Sequence, residues 1–156
     1  MERRNVRRAI LAGFIATLVM TMIMYVAPMM GMPKMDVAAM LGGMLGQTMP
    51  EPMSGLWLVG MILHFVNGSV IFPLIFAFLL YARVPGAAWR KGIIWGLILW
   101  LLSQAVVMPM MGAGFFSSHA PQPMMTVVGS LMGHIIYGAI LGQMSGGEPT
   151  VNLQTS

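Results

Sequence analysis

Residues 1–28 read MERRNVRRAILAGFIATLVMTMIMYVAP, and the fold turns on whether they form a cleavable leader or a helix that stays in a membrane. The basic start resembles a signal peptide. The apolar run after Arg8 extends for about 19 residues, too long for the apolar region of a leader, and Pro28 follows the one plausible small-residue cleavage site. An uncleaved signal anchor is expected.

The rest of the chain agrees with this. Of 156 residues, 58% are hydrophobic and 8% charged, with a mean hydropathy of +0.82, whereas soluble domains carry roughly 25% charged residues. A bilayer core about 30 Å thick needs about 20 apolar residues at about 1.5 Å each. Runs near 9–27, 56–81, 92–111 and 124–144 supply them. Lipid admits only helices or closed barrels, and runs without period-two alternation select helices. The expected fold is all-α: one transmembrane domain, 1–145, with four helices in a bundle, then a polar tail, 146–156, expected to be disordered.

The net charge of +4 is not a nucleic-acid signature, because the cations flank apolar runs and form no solvated patch. Arg3, Arg4, Arg7 and Arg8 precede the first span, Arg83, Arg90 and Lys91 separate the second from the third, and Lys34 alone falls on the other side. The positive-inside rule then places both termini in the cytoplasm. Trp57 and Trp89 suit interfacial anchors. In the first outer loop Pro33 can open a helix with Asp36 in its first turn, so a short helix is expected over 33–45, lying at the interface or dipping into it. The second outer loop, GAGFFSSHAPQP, reads as irregular.

The two halves of the chain correspond. Arg8 with Gly13 answers Lys91 with Gly96, and each following span ends in PMMG, at Pro28–Gly31 and Pro109–Gly112. VGMILHFVNG ends in His64-x-x-x-Gly68, and VGSLMGHIIYG ends in His134-x-x-x-Gly138. Two similar two-helix halves would put the histidines at equivalent depths on the second and fourth helices, which lie on a diagonal of a square bundle. Asn67, Tyr137 and Ser130 share their faces, and Thr17, Thr21, Ser103 and Gln104 add inward polarity from the other two helices. Small residues four apart, Gly92/Gly96, Gly129/Gly133 and Gly138/Gly142, allow close helix approach and favour a homo-oligomer or a larger membrane complex.

MPKMDVAAMLG after the first span, HFVNG in the second, MPMMGAGFFSS after the third and GHIIYGAILG in the fourth together resemble a bacterial four-helix membrane protein family known only as a domain of unknown function. The resemblance covers about Arg7 to Gln143. It implies the architecture and no activity.

Cysteine is absent, which excludes disulfides, thiolate metal sites and thiol catalysis. Asp36 and Glu51 share a flexible loop without a convergent base, and Ser117 and Ser118 beside His119 lack an orienting acid, so no enzyme is expected. The residues expected to matter are His64 and His134. One use of them is packing: each neutral imidazole bonds Gln104, a threonine or a carbonyl, and the protein is an accessory or scaffold subunit. A second is haem b, with both histidines axial and Gly68 and Gly138 clearing the macrocycle. A third is copper, held by His64, His134, Met108 and Met110. Most of the 20 methionines lie between Met29 and Met61 or between Met108 and Met125, at the outer side with His119, and soft thioethers favour Cu(I). A small transporter or channel-like oligomer is the remaining reading, without an interior carboxylate for proton coupling.

Overall fold

The computed structural model describes residues 3–46 and 48–146, so the tail expected to be disordered lies outside the described residues apart from Gly146. Helix α1 (Arg3–Val26) tightens into a 3-10 turn at Ala27–Met30, with Pro28 in its first turn, and Gly31 at φ 83° closes it. A short α2 (Val37–Gly46) follows, then α3 (Gly55–Leu80), α4 (Ala88–Met110) and α5 (Pro123–Ser145). All but α2 are long and apolar enough to cross a membrane, and no strand occurs among the described residues. Their outward faces carry side chains such as Leu11, Ile62, Leu101 and Met132, as lipid-facing helices do.

The bundle is ordered by glycines. Cβ atoms built at Gly92 and Gly138 would each collide with the other's carbonyl oxygen, and one at Gly142 would strike the Ala88 carbonyl, so α4 and α5 touch backbone to backbone. α1 lies against α5 and against α3, where Gly13 fits under Pro73 and the Gly68 carbonyl. These small-residue steps are filled within the chain. Gly129 and Gly133 differ from the expectation, facing the flexible ends of Met32 and Met20. Around the bundle the order is α3, α1, α5, α4, which leaves α3 and α5 on a diagonal. α3 meets α4 through Phe76–Leu80, near the end that carries the basic residues. A core of Phe76, Trp95, Leu99, Tyr137 and Leu141 with Ala12 and Ala16 closes that half.

The cations also cap helices. Arg8 Nε donates to the Met144 carbonyl at 2.6 Å, and Lys91 Nζ to the Tyr81 carbonyl at 2.8 Å, so basic groups meet the negative dipole ends of α5 and α3.

Two expectations are corrected at the methionine-rich end. The short helix starts at Val37, not Pro33: Asp36 is its N-cap, accepting from the Ala39 amide at 2.9 Å, and 33–36 is extended or irregular. Trp57 is no interfacial anchor. It is 8% exposed and its indole Nε1–H donates to both Asp36 oxygens at 3.0 and 3.1 Å, tying α2 to α3. A Cβ at Gly60 would strike the Ala38 carbonyl and one at Gly42 the Leu56 carbonyl, so α2 runs antiparallel along the first turns of α3. Its first residues therefore sit deepest, beside the bundle interior. Trp89 remains exposed, with the Arg90 guanidinium 5.2 Å from its ring centroid.

Candidate functional site

Prolines shape the interior of α3 and α4. Each helix widens to a π turn, Asn67–Ile71 in α3 and Ser103–Val107 in α4, two residues before Pro73 and Pro109. In α3 the Phe72 amide reaches back to the Asn67 carbonyl, and Pro73 has no N–H for the next carbonyl, that of Gly68. Tyr137 of α5 replaces it, its hydroxyl donating to the Gly68 oxygen at 2.7 Å across the diagonal. Tyr137→Phe should cost ~1–3 kcal/mol, since the Gly68 carbonyl loses this buried donor. Thermal unfolding in detergent measures this, and an unchanged midpoint would contradict the bond.

Toward the methionine-rich end α3 and α4 enclose a cavity of about 190 Å³ with α1 and α5, and Val37 and Leu41 of α2 complete its wall. His64 and His134 both line it, with Thr17, Asn67, Ser103 and Tyr137 as the other polar groups. The pair expected to face across the bundle is thus brought into one space.

The hydrogen-bond network assigns a tautomer to each ring. The Thr21 hydroxyl donates to the Thr17 carbonyl at 2.7 Å, so toward His64 Nε2, at 2.9 Å, it accepts. His64 therefore carries its proton on Nε2. His134 Nδ1 lies 2.8 Å from the Ser130 carbonyl one turn back, which can only accept, so His134 carries its proton on Nδ1. Each ring has one N–H anchored to helix, and among the described residues no protein donor meets the other nitrogen, Nδ1 of His64 or Nε2 of His134. Gln104, one of the partners expected for a histidine, is fully buried elsewhere: its Oε1 accepts from Ser117 Oγ at 2.9 Å. That bond pulls the loop between α4 and α5 inward, with Phe116 and Ser117 at positive φ.

Gly68 and Gly138 do not clear a macrocycle. A Cβ on Gly68 would strike Thr17 Oγ1 and one on Gly138 the Gly92 carbonyl, so both faces are already filled by neighbouring helices. The residues do not fit a haem held between these histidines.

Beyond the histidines the space continues. A second cavity of about 80 Å³ shares Met20, Val37, Leu41, Ser103, Val107 and His134 with the first. It leads to a wide mouth of about 480 Å³, where His119 and Lys34 stand. Met35, Met40, Met108 and Met111 line both of these outer spaces and form the throat between them. Met108 is 3% exposed and lines both spaces. Met110 does not: it is 66% exposed and borders, with Met44, only an adjoining groove that shares Met40, Met49 and Met111 with the mouth; Met108 and Met111, three apart, share a helical face that Met110 misses. That spacing is the signal in the sequence that selects Met111. Among the described residues no three His, Cys, Asp or Glu side chains gather into a group that could hold a metal ion.

Fold and site together define a multi-pass helical membrane protein with a histidine pair in an internal cavity. The chain belongs to the DUF6789 family, a family of unknown function whose model matches residues 3–147. No curated protein and no solved structure matches it.

Proposed function

We propose that this protein binds Cu(I) within the membrane between His64 and His134, reached through the methionine-lined throat. The observation that carries this is the pair of anchored tautomers in one cavity. A metal-binding histidine characteristically donates its other N–H to a carbonyl or similar acceptor, which fixes the ring and leaves a lone pair for the ion. His134 and His64 both have that arrangement. The cavity lining offers no carboxylate, so a divalent ion would keep its charge uncompensated at low dielectric, whereas a monovalent soft ion suits neutral imidazole and thioether ligands.

The distribution of arginine and lysine supports a cytoplasmic basic end, in a bacterial inner membrane, and so an outward methionine-rich mouth. The packed core at the basic end favours a binder over a channel. Gly13 packs against the Gly68 turn of α3 and Gly96 against the His134–Gly138 turn of α5, which supports reading the halves as duplicates with a shared site. The scaffold reading is favoured by the bond from His64 to Thr21, which fixes register between α1 and α3. It gives no role to the cavity or to the free nitrogen of each ring.

The test is competition for Cu(I) against bicinchoninate, under reducing conditions, with the purified protein in detergent, followed by X-ray absorption. Imidazole scattering from protein-bound Cu(I) is expected. A monodisperse protein that takes no Cu(I), or that shows sulfur scattering alone, would overturn the histidine site.

A further inference from the structure

We infer that the throat is itself a second Cu(I) site, made of thioethers alone: Met35 and Met40 on one wall, Met108 and Met111 on the other. The inference takes the identity of the ion from the reading above but needs neither histidine.

Methionine is an adaptable filler of gaps between helices, so its abundance alone carries nothing. Position is what distinguishes these four. They line open space on both sides, about 80 Å³ inward and about 480 Å³ outward, instead of filling it. Nearly half of the inner cavity's lining is methionine, against 20 of 156 residues in the chain, and leucine would serve equally if only apolar bulk were needed. The four come from two separately folded walls. Met35 and Met40 flank the N-cap of α2, which the bond from Trp57 to Asp36 holds against α3. Met108 and Met111 lie one turn apart around Pro109, where the π turn of α4 ends. Four flexible thioethers facing one constriction provide the three or four soft donors that Cu(I) takes, and they provide no charge that would hold a divalent ion.

The placement also assigns an order. An ion passing from the mouth through the inner cavity to His134 passes residues Met35, Met40, Met108 and Met111, which line both spaces. Lys34 at the rim is exposed and repels free cations, which suits delivery by ligand exchange from a carrier more than capture of an aqueous ion.

The experiment uses the full chain in detergent, titrated with Cu(I) and separately with Ag(I), a soft monovalent ion without redox chemistry. The unsubstituted protein is expected to bind two equivalents. The fourfold variant M35L/M40L/M108L/M111L, which keeps volume and apolarity, should lose one and retain imidazole scattering. The double variant H64A/H134A should keep one equivalent with sulfur-only scattering. A monodisperse leucine variant that still binds two equivalents overturns the throat site and leaves the histidine site standing. A histidine variant with one sulfur-bound ion beside an unsubstituted protein with the same single ion overturns the histidine site and leaves the throat. No soft-ion binding by the unsubstituted protein overturns both. If the histidine variant does not fold, the leucine variant decides by itself.

Discussion

Gly138→Ala will remove most of the folded protein, whereas Gly133→Ala, on the same helix, will leave yield and melting temperature near those of the parent. A Cβ at Gly138 collides with the Gly92 carbonyl oxygen and comes within 3.1 Å of the Gly96 Cα. These obstacles are backbone, so no rotamer change relieves them. Overpacking a core usually costs ~1–3 kcal/mol when side chains can shift, and here α4 and α5 must separate along the whole seam that also holds Gly96 and Gly142, which puts the cost at or above ~3 kcal/mol. Gly92→Ala should behave in the same way, since its Cβ meets the Gly138 carbonyl. At Gly133 the nearest atom is Met20 Cε at 3.3 Å, the end of a flexible side chain, and alanine favours helix over glycine by ~1 kcal/mol. Size-exclusion profiles and thermal unfolding in detergent separate the two. Equal tolerance of both substitutions would refute the backbone contact between α4 and α5.

That seam was legible in outline. Glycines four apart identify helices that approach closely, but the sequence does not say which helix each meets: Gly92/Gly96 and Gly138/Gly142 meet each other, while Gly129/Gly133 face methionines. The four spans followed from hydropathy because lipid removes every alternative to a long apolar helix. The start of α2 was misplaced because proline opens helices, and here a better cap, Asp36, lies three residues on and is held in place by an indole 21 residues away. The site divides similarly. Two inward-facing histidines at corresponding positions could be read from local spacing, and so could the inward faces of Thr21 and Tyr137. The cavity could not, because it depends on where α3 and α4 part and on π turns set by Pro73 and Pro109. Met35 and Met40 join the throat only once α2 folds back along α3, a non-local event with no periodic signature.

Replacing both histidines should remove the histidine site's share of the stabilisation that Cu(I) or Ag(I) gives the parent, leaving only that of the methionine throat, and the single substitutions discriminate how. An ion at about 100 times its dissociation constant stabilises a folded protein by about 2.7 kcal/mol, a shift that unfolding in detergent resolves. His134→Ala removes one nitrogen ligand and a bond within its own helix, so the ion-free protein should keep nearly its parent stability while affinity at the histidine site falls at least ~100-fold. His64→Ala also removes the bond from α3 to Thr21, so it should lower ion-free stability by ~0.6–2 kcal/mol as well as affinity. Thr21→Val is the most informative. It leaves both lone pairs in place but frees the His64 ring, and loss of such an orienting partner typically lowers metal affinity about 10–100-fold. Were the histidines only packing elements, Thr21→Val and His64→Ala would lower stability alike, His134→Ala would do almost nothing, and no variant would change the response to either ion. The contrast rests on His134, whose hydrogen bond never leaves its own helix and so ties nothing together, yet which lines the cavity it shares with His64.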